Sequence, residues 1–290
     1  MSKQESEVPT PLLPAFTKAW HTKSYPSISP TRPELSASGR NIVITGGGTG
    51  IGKAVAIAFA QAGAASVSIV GRRLDRLQDT ASEIAVCNPS TKVIAQTGDI
   101  TERTSLDRAF AFVRDQVGEI DVFVPCAGTL NAIAPLSGYN QDEFQRGLNL
   151  NVMGAFNALQ AFLTVATPDA MVFNISSMFA HLPPSGKAFA YSVNKIAIYK
   201  MYDYLQAENP DLHVVSIQPG IIATEINSAY EVDCPDDVQL PGDFIVWLAS
   251  PEAMFLKGKY VWANWDVDEL MSRSNEIEGS RLLTMHLNGL

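Results

Sequence analysis

The sequence has no run of Lys or Arg longer than Arg72-Arg73 and carries a formal net charge of -9, which excludes a polybasic surface for nucleic acid or an anionic membrane. It has no apolar stretch approaching the roughly 18 residues that span a bilayer. Its first residues, MSKQESEVPT, lack the charged-then-apolar order of a signal peptide. Cysteine is scarce: Cys87, Cys126 and Cys234 lie far apart and odd in number, which excludes a disulfide framework and suits a reducing compartment. Histidine is too sparse for a metal centre. His21, His181, His213 and His286 stand alone, without HExxH or Cys-x-x-Cys company, so no metal is expected and they read mostly as surface or loop residues. The triplet Asn174-Ile175-Ser176 falls inside the apolar run MVFNIS, where a strand would bury it from glycosylation. These absences leave a soluble, cytoplasmic protein whose partners are small molecules or other protein chains.

What is present is apolar matter in a regular order. Hydrophobic residues make up 46% of the chain, enough for a sizeable core. Prolines 9, 11, 14, 26, 30 and 33 keep residues 1–38 from forming a long helix or a central strand. That segment is expected to be an extended or partly disordered arm, with Leu12, Leu13, Phe16, Trp20 and Tyr25 available to dock on the body. From Asn41, short apolar runs alternate with segments at helical spacing: NIVIT, GKAVAIAFAQAG, SVSIV, LDRLQDTASEIA, KVIAQ, SLDRAFAFVRDQVG and IDVFV. Runs such as DVFV without polar alternation mean strands covered on both faces. A helical stretch over 141–167, the strand AMVFNIS, a helix over 187–208, the strand LHVVSIQ, a helix near 241–249 and a short strand around KYVWA follow. The pattern predicts an α/β fold over 39–290: one doubly wound parallel sheet of seven strands with helices on both faces.

The strand NIVIT runs directly into Thr45-Gly46-Gly47-Gly48-Thr49-Gly50-Ile51-Gly52 and then a helix. At the carboxyl end of a first parallel strand, glycines let the backbone approach a pyrophosphate while the helix start offers free N–H groups and its positive dipole end. The spacing Gly46-x-x-x-Gly50-x-Gly52 resembles the TGxxxGxG signature of the short-chain dehydrogenase/reductase family, a Rossmann-type fold. At the end of the second strand, where Asp or Glu would bind an unphosphorylated ribose, stands Gly71-Arg72-Arg73. A guanidinium grips a 2′-phosphate that a carboxylate would repel, so NADP(H) is expected, with Arg72 and then Arg73 as its ligands.

Further positions match the family in order. Asp99-Ile100 follows the third strand, where the resemblance implies a contact with adenine. Ala127-Gly128 matches the end of the family's NNAG, although Pro125-Cys126 replaces the two asparagines. Asn151, in LNLNVMG, matches the Asn that positions a water near the catalytic lysine. Pro219-Gly220-Ile221-Ile222-Ala223-Thr224 matches PGxIxT, which implies that the Ile222 backbone and the Thr224 hydroxyl hold the nicotinamide carboxamide.

The stretch AYSVNK sets Tyr191 four residues before Lys195, so the two side chains share one helix face. A free phenol ionises at about pH 10 and a free ammonium at about 10.4, too high for proton transfer near neutrality; an ammonium beside a phenol favours the phenolate. The resemblance adds the hydroxyl of Ser177 as the group that orients a substrate oxygen, with Ser176 as the alternative because the gap to Tyr191 is one residue longer than in the family motif. Asn151, Ser177, Tyr191 and Lys195 are thus the candidate catalytic set. They imply hydride transfer between NADP(H) and a ketone or secondary alcohol, with Tyr191 as proton donor. Met178, Phe179, Leu182 and Tyr230 suggest an apolar pocket for a rigid or aromatic carbonyl compound. The whole chain, including SPTRPEL and VWANWDVDEL, is similar to short-chain reductases of filamentous fungi, and the family implies a homodimer or homotetramer. The rival reading is a protein of the same fold turned to a non-redox task, such as a cyclase or a cofactor-stabilised scaffold.

Overall fold

A computed structural model describes residues 15–184, 187–228 and 233–287. Its strands are β1 (Asn41–Thr45), β2 (Ser66–Gly71), β3 (Lys92–Thr97), β4 (Ile120–Pro125), β5 (Ala166–Ile175), β6 (His213–Gln218) and β7 (Tyr260–Trp262). They form one parallel sheet in the order β3-β2-β1-β4-β5-β6-β7, and the reversal of direction between β1 and β4 leaves a crevice at the carboxyl ends of those strands. The longer helices are α1 (Gly50–Gln61), α2 (Leu74–Cys87), α3 (Arg103–Val117), α4 (Gln141–Gly147), α5 (Gly154–Phe162), α6 (Phe189–Glu208) and α7 (Gln239–Leu248), followed by the short α8 (Val267–Ser272) and α9 (Ser274–Ile277).

Strand alternation explains why both faces are covered. Ile42 and Ile44 of β1 join one core with α1 and α7, where Phe59, Phe244 and Trp247 are fully buried. Val43, between them, points to a second core with Phe110 of α3, Phe162 of α5 and Tyr202 of α6. Each large side chain buried this way contributes roughly 1.5–3 kcal/mol.

The helical stretch expected over 141–167 is shorter and less regular. Asn140 caps α4 by accepting the Glu143 N–H at 2.8 Å, a π-helical segment occupies Leu148–Met153, and α5 stops at Phe162. Val165 and Thr167 are β-branched and Pro168 has no N–H to continue a helix. The chain therefore enters β5 at Ala166, which pairs with Ile120.

Residues 15–38 lie against the body. Ile28 and Leu35 are buried in the first core, and Ala37 donates its N–H to the Ala62 carbonyl at 2.8 Å. Phe16 packs on Trp265 and Trp20 on Trp262, while the Arg273 guanidinium stands 3.5 Å above the Phe16 ring. At the other end, Tyr260 donates its N–H to Leu283 at 2.7 Å, so the tail covers part of the open edge of β7.

Candidate active site

The loops at the carboxyl ends of the strands open on one cavity of about 770 Å³. Its floor is the glycine turn. Gly46 has φ +74°, and a Cβ there would lie 2.8 Å from the Ala127 nitrogen; a Cβ on Gly52 would lie 2.4 Å from the Gly46 carbonyl oxygen. Only glycine lets α1 and the loop after β4 approach this closely. No side chain caps the start of α1, so its first N–H groups are left for a ligand in the cavity.

Arg72 and Arg73 stand on the cavity wall, with Arg76 beside them from the first turn of α2. Arg73 is already engaged, its Nη2 lying 2.7 Å from Glu225 Oε2 across the cavity mouth. Asp99 also lines the wall, but its Oδ1 is turned to its own loop, accepting the Thr101 N–H at 2.9 Å and the Thr101 hydroxyl at 2.8 Å. Ile100 lies next to it against Gly154, where a Cβ would come within 2.8 Å of the isoleucine side chain.

Pro125-Cys126 fills the place of the family asparagines. Cys126 lines the cavity, and burial pushes its thiol up to about 11 despite the opposing influence of Lys195 and of a backbone hydrogen bond from Gly52. It is a neutral, weakly nucleophilic group. Asn151 sits in the π segment and uses both ends of its amide on one residue: Oδ1 accepts the Thr129 N–H at 2.9 Å and Nδ2 donates to the Thr129 carbonyl at 3.1 Å. It thereby ties the π segment to the loop after β4. Asn151 does not line the main cavity; it borders a second one of about 20 Å³ with Asn174, Lys195 and Tyr202, a space fit for a single water.

Tyr191, Lys195, Ser176 and Ser177 all line the main cavity. Lys195 Nζ donates to the Ile175 carbonyl at 2.8 Å and lies 5.5 Å from the centre of the Tyr191 ring. Ser177 begins a 3₁₀ turn, Met178–Ala180, with its hydroxyl accepting a long 3.4 Å bond from the Phe179 N–H. Its carbonyl is held at 2.8 Å by the buried Tyr260 hydroxyl. The Ser176 hydroxyl is buried beside the Tyr260 hydroxyl.

The opposite wall is the loop after β6, with Pro219, Gly220, Ile221, Ile222 and Thr224 on the cavity. Asn227 braces it, its Nδ2 donating to the Ile222 carbonyl at 2.9 Å and its Oδ1 accepting the Thr224 N–H at 3.0 Å. Met178 and Phe179 line the mouth as the sequence suggested, joined by Leu130, Ile133, Leu150 and Ile226. Leu182 instead packs against the first core, and Tyr230 lies outside the described residues.

Two histidines differ from expectation. His181 is not exposed at the surface but lies between aromatic rings, 4.6 Å from Tyr260 and 5.5 Å from Trp262, whose Nε1–H it accepts at 3.2 Å. Burial holds it down to about 4. His213 is likewise buried, within β6, all six of whose residues are buried, so that the strand has no solvent side. Sequence reasoning missed Arg76 and Arg146 in the lining. Arg76 was findable four residues after Arg72 on a predicted helix, whereas nothing local marks Arg146.

A doubly wound parallel sheet whose glycine turn and Tyr-Lys pair line one crevice defines a Rossmann-type oxidoreductase. The chain belongs to the short-chain dehydrogenase/reductase family: residues 40–234 match the family model described as short chain dehydrogenase. A short chain dehydrogenase/reductase of Claviceps purpurea is 32% identical over 283 residues, covering 95% of both chains. The short chain dehydrogenase/reductase AacuD of Aspergillus aculeatus is 31% identical over 280 residues, covering 93% of this chain and 96% of the relative. Among solved structures, a short-chain type dehydrogenase/reductase from Mycobacterium ulcerans superposes with a TM-score of 0.72 at 27% identity, over 78% of this chain and 89% of that one. The family implies a nicotinamide cofactor, NAD or NADP, and a small-molecule substrate. The residues present fit such a dinucleotide: a glycine turn packed too closely on its own backbone for a Cβ at Gly46 or Gly52, an uncapped helix start, and arginines on the cavity wall. Among the described residues no helix is long and apolar enough to cross a membrane, and no group of acidic, His or Cys side chains could hold a metal ion.

Proposed function

We propose that this protein is an NADP(H)-dependent oxidoreductase that reduces a ketone, or oxidises the secondary alcohol, of a small apolar or aromatic metabolite of fungal secondary metabolism. The single observation that carries the reading is that Tyr191, Lys195 and Ser177 line the same cavity as the glycine turn, with Lys195 Nζ 5.5 Å from the centre of the Tyr191 ring. When bound, NADPH supplies the hydride to the carbonyl carbon. The Tyr191 hydroxyl gives its proton to the carbonyl oxygen, and the Lys195 ammonium stabilises the phenolate left behind. The Ser177 hydroxyl donates a hydrogen bond to the same oxygen as negative charge develops there. Anchoring of Lys195 to the Ile175 carbonyl fixes the ammonium at the strand end.

Gly46, Thr49, Gly50, Ile51 and Gly52 would receive the pyrophosphate, Arg72 and Arg73 the 2′-phosphate, and Asp99 and Ile100 the adenine. Ala127, Gly128 and the Pro219–Thr224 loop would flank the nicotinamide side. The apolar mouth formed by Leu130, Ile133, Met178, Phe179 and Ile226 supports a hydrophobic substrate. Exposed Met153, Phe156, Val193 and Ile196 on the α5 and α6 side support assembly into a homodimer or homotetramer. The test is the loss of NADPH absorbance with a panel of aryl and alicyclic ketones. Turnover of any of them supports the reading. A silent panel with tight dinucleotide binding favours the non-redox alternative.

A further inference from the structure

The loop after β6 is braced from within by Asn227 at Ile222 and Thr224, but Gly220 and Ile221 are held from outside it. Gly220 stands at φ +105°, a region open to glycine but with no preference for this one value. The shape is set from behind by a carboxylate farther along the chain. Asp236 Oδ2 accepts the Ile221 N–H at 2.6 Å, its own N–H donates to the Ile221 carbonyl at 3.3 Å, and Ile222 and Asp236 pair as a short parallel bridge. A Cβ on Gly220 would lie 2.8 Å from the same Oδ2, so the glycine makes room for the carboxylate.

The carboxylate is itself held by the arm. Asp236 Oδ1 accepts from Asn264 Nδ2 at 2.9 Å, and that nitrogen also donates to the His21 carbonyl at 2.8 Å. His21 returns its N–H to the Asn264 carbonyl at 2.8 Å, and Asp237 donates its N–H to the Thr22 carbonyl at 2.7 Å. The His21 ring is fixed by Asp266 at 2.8 Å and by stacking on Tyr25 at 3.6 Å. Asp236 and Asn264 are both buried. The bonds from Ile221 and Asn264 both come from neutral N–H groups, and burial pushes the ionisation of the carboxylate upward. A buried carboxylate without a cation is costly to keep. What it holds is the cavity wall formed by Gly220, Ile221 and Ile222.

We propose that Asp236 is a positioning residue for the nicotinamide end of the dinucleotide, acting through the Ile221 backbone, with Asn264 and the arm at His21 as its backstop. This rests on the reading of the cavity as a dinucleotide site. It assigns the arm a part in the site although no described arm residue lines the cavity.

The test compares two ligands by titration calorimetry: NADP⁺, and adenosine 2′,5′-bisphosphate, which lacks the nicotinamide half. Should NAD⁺ bind the wild type more tightly, NAD⁺ and ADP replace them. Asp236→Ala is expected to weaken the dinucleotide about tenfold or more, the loss of a hydrogen bond to a charged group, while leaving the adenine fragment within about twofold. Asp236→Asn, which keeps one acceptor for Ile221 but opposes two amide donors at Asn264, should fall between. If Asp236→Ala does not fold, Asn264→Ala, which keeps the carboxylate and removes only its outer donor, carries the same split at about threefold or more. Equal losses for both ligands, or no loss for either in a folded variant, overturn the proposal. Failure of the wild type to bind any dinucleotide overturns instead the reading of the cavity on which the proposal stands.

Discussion

The Lys195 ammonium is tethered to the Ile175 carbonyl at 2.8 Å and stands 5.5 Å from the centre of the Tyr191 ring. The lysine therefore reaches from α6 to the end of β5, and a cation is fixed beside the phenol before any ligand arrives. Replacing it by Met keeps most of the apolar stem and removes only the charge and the tether. Lys195→Met is expected to lower kcat by about 10²–10⁴, the range for loss of positioned acid-base assistance, and to weaken dinucleotide binding as well. Steady-state kinetics and calorimetry on the same preparation check both.

The glycine floor makes a prediction about packing. Gly52→Ala sets a methyl group 2.4 Å from the Gly46 carbonyl oxygen, which is backbone and cannot rotate away. The strain is worth about 1–3 kcal/mol, and for a domain of this size a melting temperature lower by roughly 3–10 °C is expected. Differential scanning fluorimetry with and without dinucleotide reads it, and the ligand-induced rise expected of the wild type should be lost.

At the other end of the cavity Arg73 is shared with Glu225. The pair is exposed, so solvent screens it and it holds Arg73 only weakly. Glu225→Gln is expected to release Arg73 and raise affinity for NADPH by about two- to fivefold, with NADH unchanged. Arg72→Asp should weaken NADPH by about tenfold or more and spare NADH. Equal effects on both dinucleotides would remove the 2′-phosphate assignment.

Stability should depend on pH through the contact between arm and body. Asp243, buried and bonded by Ser24, is pushed up to about 6 by its burial, with Ser24 opposing and Asp237 adding to the rise. Below about pH 4 it is protonated whether folded or not and has no effect. Between about 4 and 6 only the unfolded chain ionises, so stability falls as pH rises and the loss persists above. Asp243→Asn is expected to recover about 1–3 kcal/mol at pH 7. His181 and His213, both held down to about 4 by burial, act in the opposite sense: stability rises with pH from about 4 to 6.5. The variant should therefore show a rising melting profile across that window where the wild type is flatter.

Much of this was legible in the sequence because it is local. NIVIT, SVSIV and LHVVSIQ read as buried strands from composition alone, and the run from Gly46 to Gly52 between a strand and a helix marks its own use. Tyr191 and Lys195 share a face by spacing. The π segment around Asn151 was not legible, since a helical run differs from it by a single hydrogen-bond register. Nor were Asp236 and Asn264, whose meaning comes from partners at Ile221 and His21 brought together by the fold. His181 was misread because the rings that enclose it, Tyr260 and Trp262, come from a strand far along the chain.

The most direct measurement takes Tyr191→Phe, which deletes one hydroxyl and keeps the ring that packs on Phe179. NADPH affinity and the rate of NADPH oxidation are measured together, with whichever ketone the wild type turns over. The account predicts affinity within about twofold of wild type and a rate lower by about 10²–10⁴. A rate close to wild type would contradict the assignment of Tyr191 as the proton donor, and with it the central claim.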